Sequence, residues 1–174
     1  DYVAKEEKSC FVEWIDLYYD CELTRQGVTL VDTPGADSIN ARHTGVAFDY
    51  IKNSDAILFV TYYNHAFSKA DQEFLIQLGR VKDSFQLDKM FFIINAIDLA
   101  DNEEEKNNVV DYVKENLIKY GVRNPNLYPL SSLAALQEKT ESLSLLSGMK
   151  DFEQAFYNFI NNDLANIAVR AADN

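Results

Sequence analysis

A chain of 174 residues that is 47% hydrophobic and 13% aromatic carries enough apolar material for one domain core. It is too short for two domains of ordinary size, and disorder is excluded as its default state. With 28 acidic against 16 basic side chains and a net charge of −12, it is a poor nonspecific ligand for nucleic-acid backbones or anionic lipid. Its longest unbroken apolar runs, Ala56 to Val60 and Met90 to Ile94, are five residues each, far short of the about 20 that a membrane span needs. Cys10 and Cys21 make no disulfide framework and are expected as lone buried thiols, which suits a reducing cytosol. The opening Asp1-Tyr2-Val3-Ala4-Lys5 has neither an initiator Met nor a signal-like apolar region, so the chain is expected to be a piece of something longer.

The first expected element is a strand over Phe11 to Tyr19, with Trp14, Tyr18 and Tyr19 packing a hairpin. A turn around Thr24-Arg25-Gln26-Gly27 leads to Val28 to Val31, read as its buried antiparallel partner. From Ala41 the period becomes helical through Ala47, Tyr50 and Ile51, and the helix ends near Asn53-Ser54. Ala56 to Thr61 is an apolar strand without a polar face, as expected where both sides are covered. Ser68, with Asp71 three positions on, opens a helix through Phe74, Leu75 and Leu78 to about Arg80. Met90 to Asn95 is a second apolar strand. Glu103-Glu104-Glu105 sits at the positive end of the next helix, whose Val110, Val113 and Leu117 form one face before Gly121 stops it. A short strand, Leu127 to Leu130, is marked by Pro125 and Pro129. Residues 133–149 read as a short helix and a loop, and Phe152, Phe156, Phe159, Ile160, Leu164 and Ile167 mark a final helix from about Lys150 to Ala172. Strands alternating with helices give an α/β fold: a doubly wound, mostly parallel sheet with helices on both faces. In such sheets ligands bind beyond the carboxyl ends of the strands, and three motifs fall there.

Asp32-Thr33-Pro34-Gly35 follows the Val28 to Val31 run. An Asp there can hold Mg²⁺ through water, the ion bridging the terminal phosphates of a nucleotide, and Gly35 lets a bare backbone N–H approach the γ-phosphate. The same residue types also make an ordinary strand-ending turn. Asn95-Ala96-Ile97-Asp98 follows the second apolar strand. A carboxylate can accept two parallel hydrogen bonds from N1–H and the 2-amino group of guanine, whereas adenine would leave it unpaired. Asn95 would brace the loop and face the other edge of the base; the alternative is that Asp98 simply caps a helix. Leu130-Ser131-Ser132-Leu133 follows the last strand, and its backbone either meets guanine O6 or forms a helix N-cap. Order and spacing together point to a guanine-nucleotide domain more strongly than any one motif does. His43 and His65 read as solvated side chains without partners for a metal site, the alternative for His43, eleven residues past Asp32, being a coupling role in the switch segment; no Ser stands in a nucleophile-elbow context.

On these residues the chain resembles GTPases of the translation-factor-like class, and within it the bacterial dynamin-like proteins. The resemblance covers roughly residues 10–160. It is carried by the run from Asp32-Thr-Pro-Gly-Ala-Asp-Ser-Ile-Asn, by Ser54-Asp-Ala-Ile-Leu-Phe-Val and by Ser68-Lys-Ala-Asp-Gln-Glu-Phe-Leu. It implies a P-loop GTPase-like fold that binds GTP with Mg²⁺ and hydrolyses it to GDP and phosphate. Asp32, Thr33 and Gly35 would then serve the metal and γ-phosphate, Asn95 and Asp98 the guanine, and Ser131 and Ser132 the base loop. It also implies self-association through the GTPase domain and tethering, fusion or remodelling of a lipid membrane through parts outside this chain. Nucleic acid is not an expected partner, and the location would be cytoplasmic, peripheral at the inner face of the cell membrane.

Two departures bear on this. Ala96 stands where the family has Lys, whose stem packs on the purine face, so weaker nucleotide binding is expected. No G-x-x-x-x-G-K-[ST] occurs in the 174 residues, so the phosphate loop, its strand and the catalytic residues are expected upstream. The chain thus reads as a single partial GTPase domain over residues 1–174, with a slot between the Val28 to Val31 and Ala56 to Thr61 strands and a final helix, 150–174, leading toward a helical bundle. Two alternatives are a GTPase of the ribosome-associated kind and a non-catalytic pseudo-GTPase interaction module.

Overall fold

The computed structural model describes residues 14–33, 50–81, 90–141 and 146–164, and the chain divides into two compact units after Asp32. In the first unit, the expected hairpin is not formed. Residues 14–20 and 28–33 carry no strand, and between them Glu22–Arg25 is a single helical turn. The reason lies in local bonding. The Thr24 hydroxyl accepts the Cys21 N–H (3.0 Å) and donates to the Tyr19 carbonyl (2.6 Å), while the Val28 N–H donates to Leu23 O (3.1 Å). Backbone groups that a ladder would use are thereby engaged within the turn. Arg25 closes it with a bidentate pair to Asp20, 2.7 Å on each arm. Trp14 (66% exposed), Tyr18 and Tyr19 therefore pack no hairpin, and the Val28 to Val31 run is not a buried strand. Cys21 is half-buried rather than buried, its thiol held below the ordinary value by hydrogen bonding from Thr24; Cys10 lies outside the described residues.

The second unit is built on a parallel three-stranded sheet in the order β1 (Ile57–Tyr62), β2 (Met90–Asn95), β3 (Asn126–Pro129). Its helices are α1 (Lys69–Val81), α2 (Glu103–Lys119), α3 (Ser132–Glu141) and α4 (Met149–Asn158), the last passing into a π-helical turn, Phe159–Leu164. Residues 50–53 are also helical and end where expected. The final helix is thus described only to Leu164. Register sets Ile57, Phe59 and Thr61 beside Met90, Phe92 and Ile94 on one sheet face. Leu75 and Leu78 of α1 and Val113 and Leu117 of α2 join these in the main core. The opposite face is aromatic: Phe91 meets Phe152 and Phe156 of α4 and Phe159 edge-on, with centroids 5.5–6.1 Å apart. Helices therefore cover both faces, as a doubly wound sheet requires.

Helix boundaries follow their caps. Ser68 and Asp71 form the reciprocal box read from sequence, with Ser68 N–H to Asp71 Oδ2 at 2.7 Å and Asp71 N–H to Ser68 Oγ at 3.2 Å. The acidic triplet fills the first turn of α2, behind an Asn102 side chain that accepts the Glu105 N–H at 2.9 Å. β1 departs from expectation. Its Ile57, Phe59 and Thr61 are buried, but Val60 (56%) and Tyr62 (48%) on the other face are exposed. Among the described residues β1 pairs with β2 alone, leaving its second edge open.

Candidate functional site

Because the strands are parallel, the loops after all three leave from one end of the sheet. Asn95 ends β2, Ala96 turns in the left-handed region (φ 64°), and a 3₁₀ turn, Ile97–Leu99, presents Asp98. That turn is tied to the loop after β3: Ile97 N–H donates to Leu130 O (3.2 Å), and Leu130 N–H donates to Ile94 O (2.9 Å). The Asn95 Oδ1 accepts the Ser132 N–H at 3.0 Å. Two loops distant in sequence are thus hydrogen-bonded to each other, Asn95 and Asp98 standing on one and Ser131 and Ser132 on the other.

The four side chains differ in what is left for a ligand. Ser131 is buried (1% exposed); its Oγ accepts the Ala134 N–H at 3.0 Å, so its side chain caps α3. Its N–H is also engaged, donating to Ser147 O at 2.8 Å. Ser132 is exposed. Asp98 does not cap α2, a role Asn102 fills. Its carboxylate is exposed and has no hydrogen bond or ion pair among the described residues. Ser131→Ala should remove the cap and cost about 0.5–2 kcal/mol, visible as a lower urea midpoint with an unchanged slope.

Beside this unit, the 63–65 turn after β1 packs on the 97–99 turn. Burial pushes the Tyr63 phenol up, and the Glu105 carboxylate adds to the rise. Phe67, buried and at φ 61°, donates its N–H to Thr61 Oγ1 at 3.1 Å. Two non-glycine residues in the left-handed region, Phe67 and Ala96, therefore stand at the carboxyl ends of adjacent strands, where strain collects at functional rims. Asp32 belongs to the other unit, outside any helix or strand and exposed; Thr33 is half-buried. Gly35 and His43 lie outside the described residues, and His65 is exposed. Among the described residues no cluster of three or more His, Cys, Asp or Glu could hold a metal ion, and no helix is long and apolar enough to cross a membrane.

Glu138 and Ser147 join these loops, the Ser147 Oγ donating to Glu138 Oε2 at 2.6 Å. Their pairing depends on how α3 meets the start of α4, and the sequence signals only the turn at Ser147-Gly148. A shallow cavity of about 250 Å³ over Phe91, Asn126, Tyr128 and Phe159 lies toward the other end of the strands and is separate from these loops.

Comparison with known proteins identifies the family and the fold. Residues 2–97, more than half of the chain, match the model of the Dynamin family. The chain is 53% identical over 141 residues to Dynamin-like protein A of Bacillus subtilis, covering 81% of this chain and 12% of that protein. It is 28% identical to a probable transmembrane GTPase FZO-like, chloroplastic, of Arabidopsis thaliana, covering 89% of this chain and 17% of that one. It therefore spans less than a fifth of the length of either relative. A solved structure of an oligomerised bacterial dynamin pair, described as a mechanism for long-range sensing and tethering of membranes, has the same fold. Its TM-score is 0.65 at 23% identity over 80% of this chain and 25% of that one. By the family match, this chain is a member of the dynamin family.

Proposed function

We propose that the chain is the base-binding part of a dynamin-family GTPase that holds GTP with Mg²⁺ and hydrolyses it to GDP and phosphate. The observation that carries this reading is the exposed Asp98 carboxylate, without a partner among the described residues, on a turn fixed to the loop after β3. Its two oxygens suit the N1–H and 2-amino group of guanine, and adenine offers neither donor in that arrangement. Asn95 accepts the Ser132 N–H through Oδ1 and would turn its amide NH₂ to the other edge of the base. At the phosphate end, Asp32 would hold Mg²⁺ through water, beside Thr33, with Gly35 offering backbone to the γ-phosphate. The ion would supply charge neutralisation of the terminal phosphates. The phosphate loop would come from sequence outside this chain, its strand pairing along the edge of β1 that has no partner among the described residues.

In this reading residues 1–174 are one partial GTPase domain, with the helix from about residue 150 leading to a bundle. The whole protein self-associates through this domain and acts peripherally at the inner face of the cell membrane, where it tethers, fuses or remodels bilayers. Family membership favours it over a GTPase of the ribosome-associated kind. Ala96 leaves the purine face without a packed stem, so Ala96→Lys should tighten GDP binding by roughly three- to tenfold, read by titration with a fluorescent nucleotide. The reading is tested by titrating the full-length protein with GTP, GDP and ATP, with and without Mg²⁺. Guanine-selective, Mg²⁺-dependent binding supports it; a protein that binds none of them is the non-catalytic interaction module instead.

A further inference from the structure

We infer that Glu138 and Ser147 are positioning residues for the base loop, holding Ser131 and Ser132 in register without touching the nucleotide. The inference rests on the base-loop reading above. Ser147 is 3% exposed and satisfied on every side. Its Oγ donates to Glu138 Oε2 at 2.6 Å and accepts the Met149 N–H at 3.3 Å, and its N–H points to Glu138 Oε1 at 3.4 Å. Its carbonyl accepts the Ser131 N–H at 2.8 Å. One carboxylate on α3 thus clamps the residue that holds the start of that same helix. Gly148, at φ 72°, lets the chain pass against the backbone of Pro129 and Leu130, where any Cβ would clash with the Pro129 carbonyl.

The base loop is therefore fixed from two directions. Asn95 and the end of β2 hold it on the sheet side, and Ser147 holds it on the α4 side. Removing Glu138 leaves a buried hydroxyl and N–H without their shared acceptor, and the loop loses that second support. Because neither residue faces the base, the effect should fall on nucleotide affinity and not on the chemical step.

The test compares Glu138→Ala, Glu138→Gln and the control Lys139→Ala in the full-length protein. Lys139 joins the same two helices through an exposed pair with Glu153 (2.7 Å) and does not touch the loop. Two readouts are used: amide hydrogen exchange at Ser131 without nucleotide, and GTP turnover. Glu138→Ala should speed exchange at Ser131 about tenfold and raise KM for GTP about tenfold with kcat kept; Glu138→Gln, which keeps only one of the two acceptor oxygens that Ser147 uses, should fall between, and Lys139→Ala should stay near wild type. Unchanged exchange in Glu138→Ala overturns the clamp, and faster exchange with unchanged KM overturns its role in positioning the base loop. Faster exchange in a protein whose wild type binds no guanine nucleotide supports the clamp and overturns the base-loop reading instead.

Discussion

Asp98→Asn is expected to weaken GTP and GDP binding by about 100-fold, the loss of two charge-assisted hydrogen bonds to the base. The same substitution should improve binding of xanthine nucleotides, whose C2 carbonyl accepts from the carboxamide NH₂ where guanine presents an amino donor. Fold stability should not follow, because the Asp98 side chain is exposed and has no partner among the described residues. Titration with guanosine and xanthosine diphosphates, beside a thermal melt of each protein, separates the two effects. Equal guanine affinity in the variant would remove Asp98 from the site, and a large loss of stability would return it to a structural role.

Gly148→Ala should be strongly destabilising, more so than Gly→Ala at Gly27, Gly79 or Gly121, by about 2–4 kcal/mol. Two penalties add. The residue sits at φ 72°, and an added Cβ would collide with the Pro129 carbonyl oxygen and lie 3.3 Å from Leu130 Cα, both backbone atoms that cannot rotate away. Relief requires the 147–149 turn to back off, which breaks the Ser147 carbonyl's hold on Ser131. Urea unfolding measures the stability loss, and guanine affinity should fall with it. By contrast Gly27, where φ is 80° but no atom lies within 4 Å of a Cβ, carries the conformational penalty alone, so Gly27→Ala should cost less. A Gly148→Ala protein as stable as wild type would mean that the turn is not held against β3 as described.

The parts of this architecture legible in sequence were those governed by local rules. β2 is apolar without interruption from Met90 to Ile94 and is buried on both faces, and Ser68 with Asp71 formed the expected box. The loops after β2 and β3 fall where the motifs put them, because a parallel sheet brings successive strand ends to one side. What failed was nonlocal. Phe11 to Tyr19 and Val28 to Val31 have strand composition, yet in their described parts no ladder forms and a helical turn stands between them. β-propensity describes fitness for a covered, paired surface and does not provide the partner. The apolar Val60 failed as a sign of burial for a related reason: it faces outward on a strand whose second edge has no partner among the described residues. Glu138 was invisible because its acceptor role exists only once α3 and the start of α4 are in place.

A crystal structure of the full-length protein with GDP and Mg²⁺ decides whether Asp98 and the loop anchored by Asn95 read guanine. The Asp98 carboxylate is expected at about 2.7–2.9 Å from N1 and the 2-amino nitrogen of the base, in charge-assisted hydrogen bonds. A base seated away from the Asn95–Asp98 turn, or lying there without contact to Asp98, would contradict it.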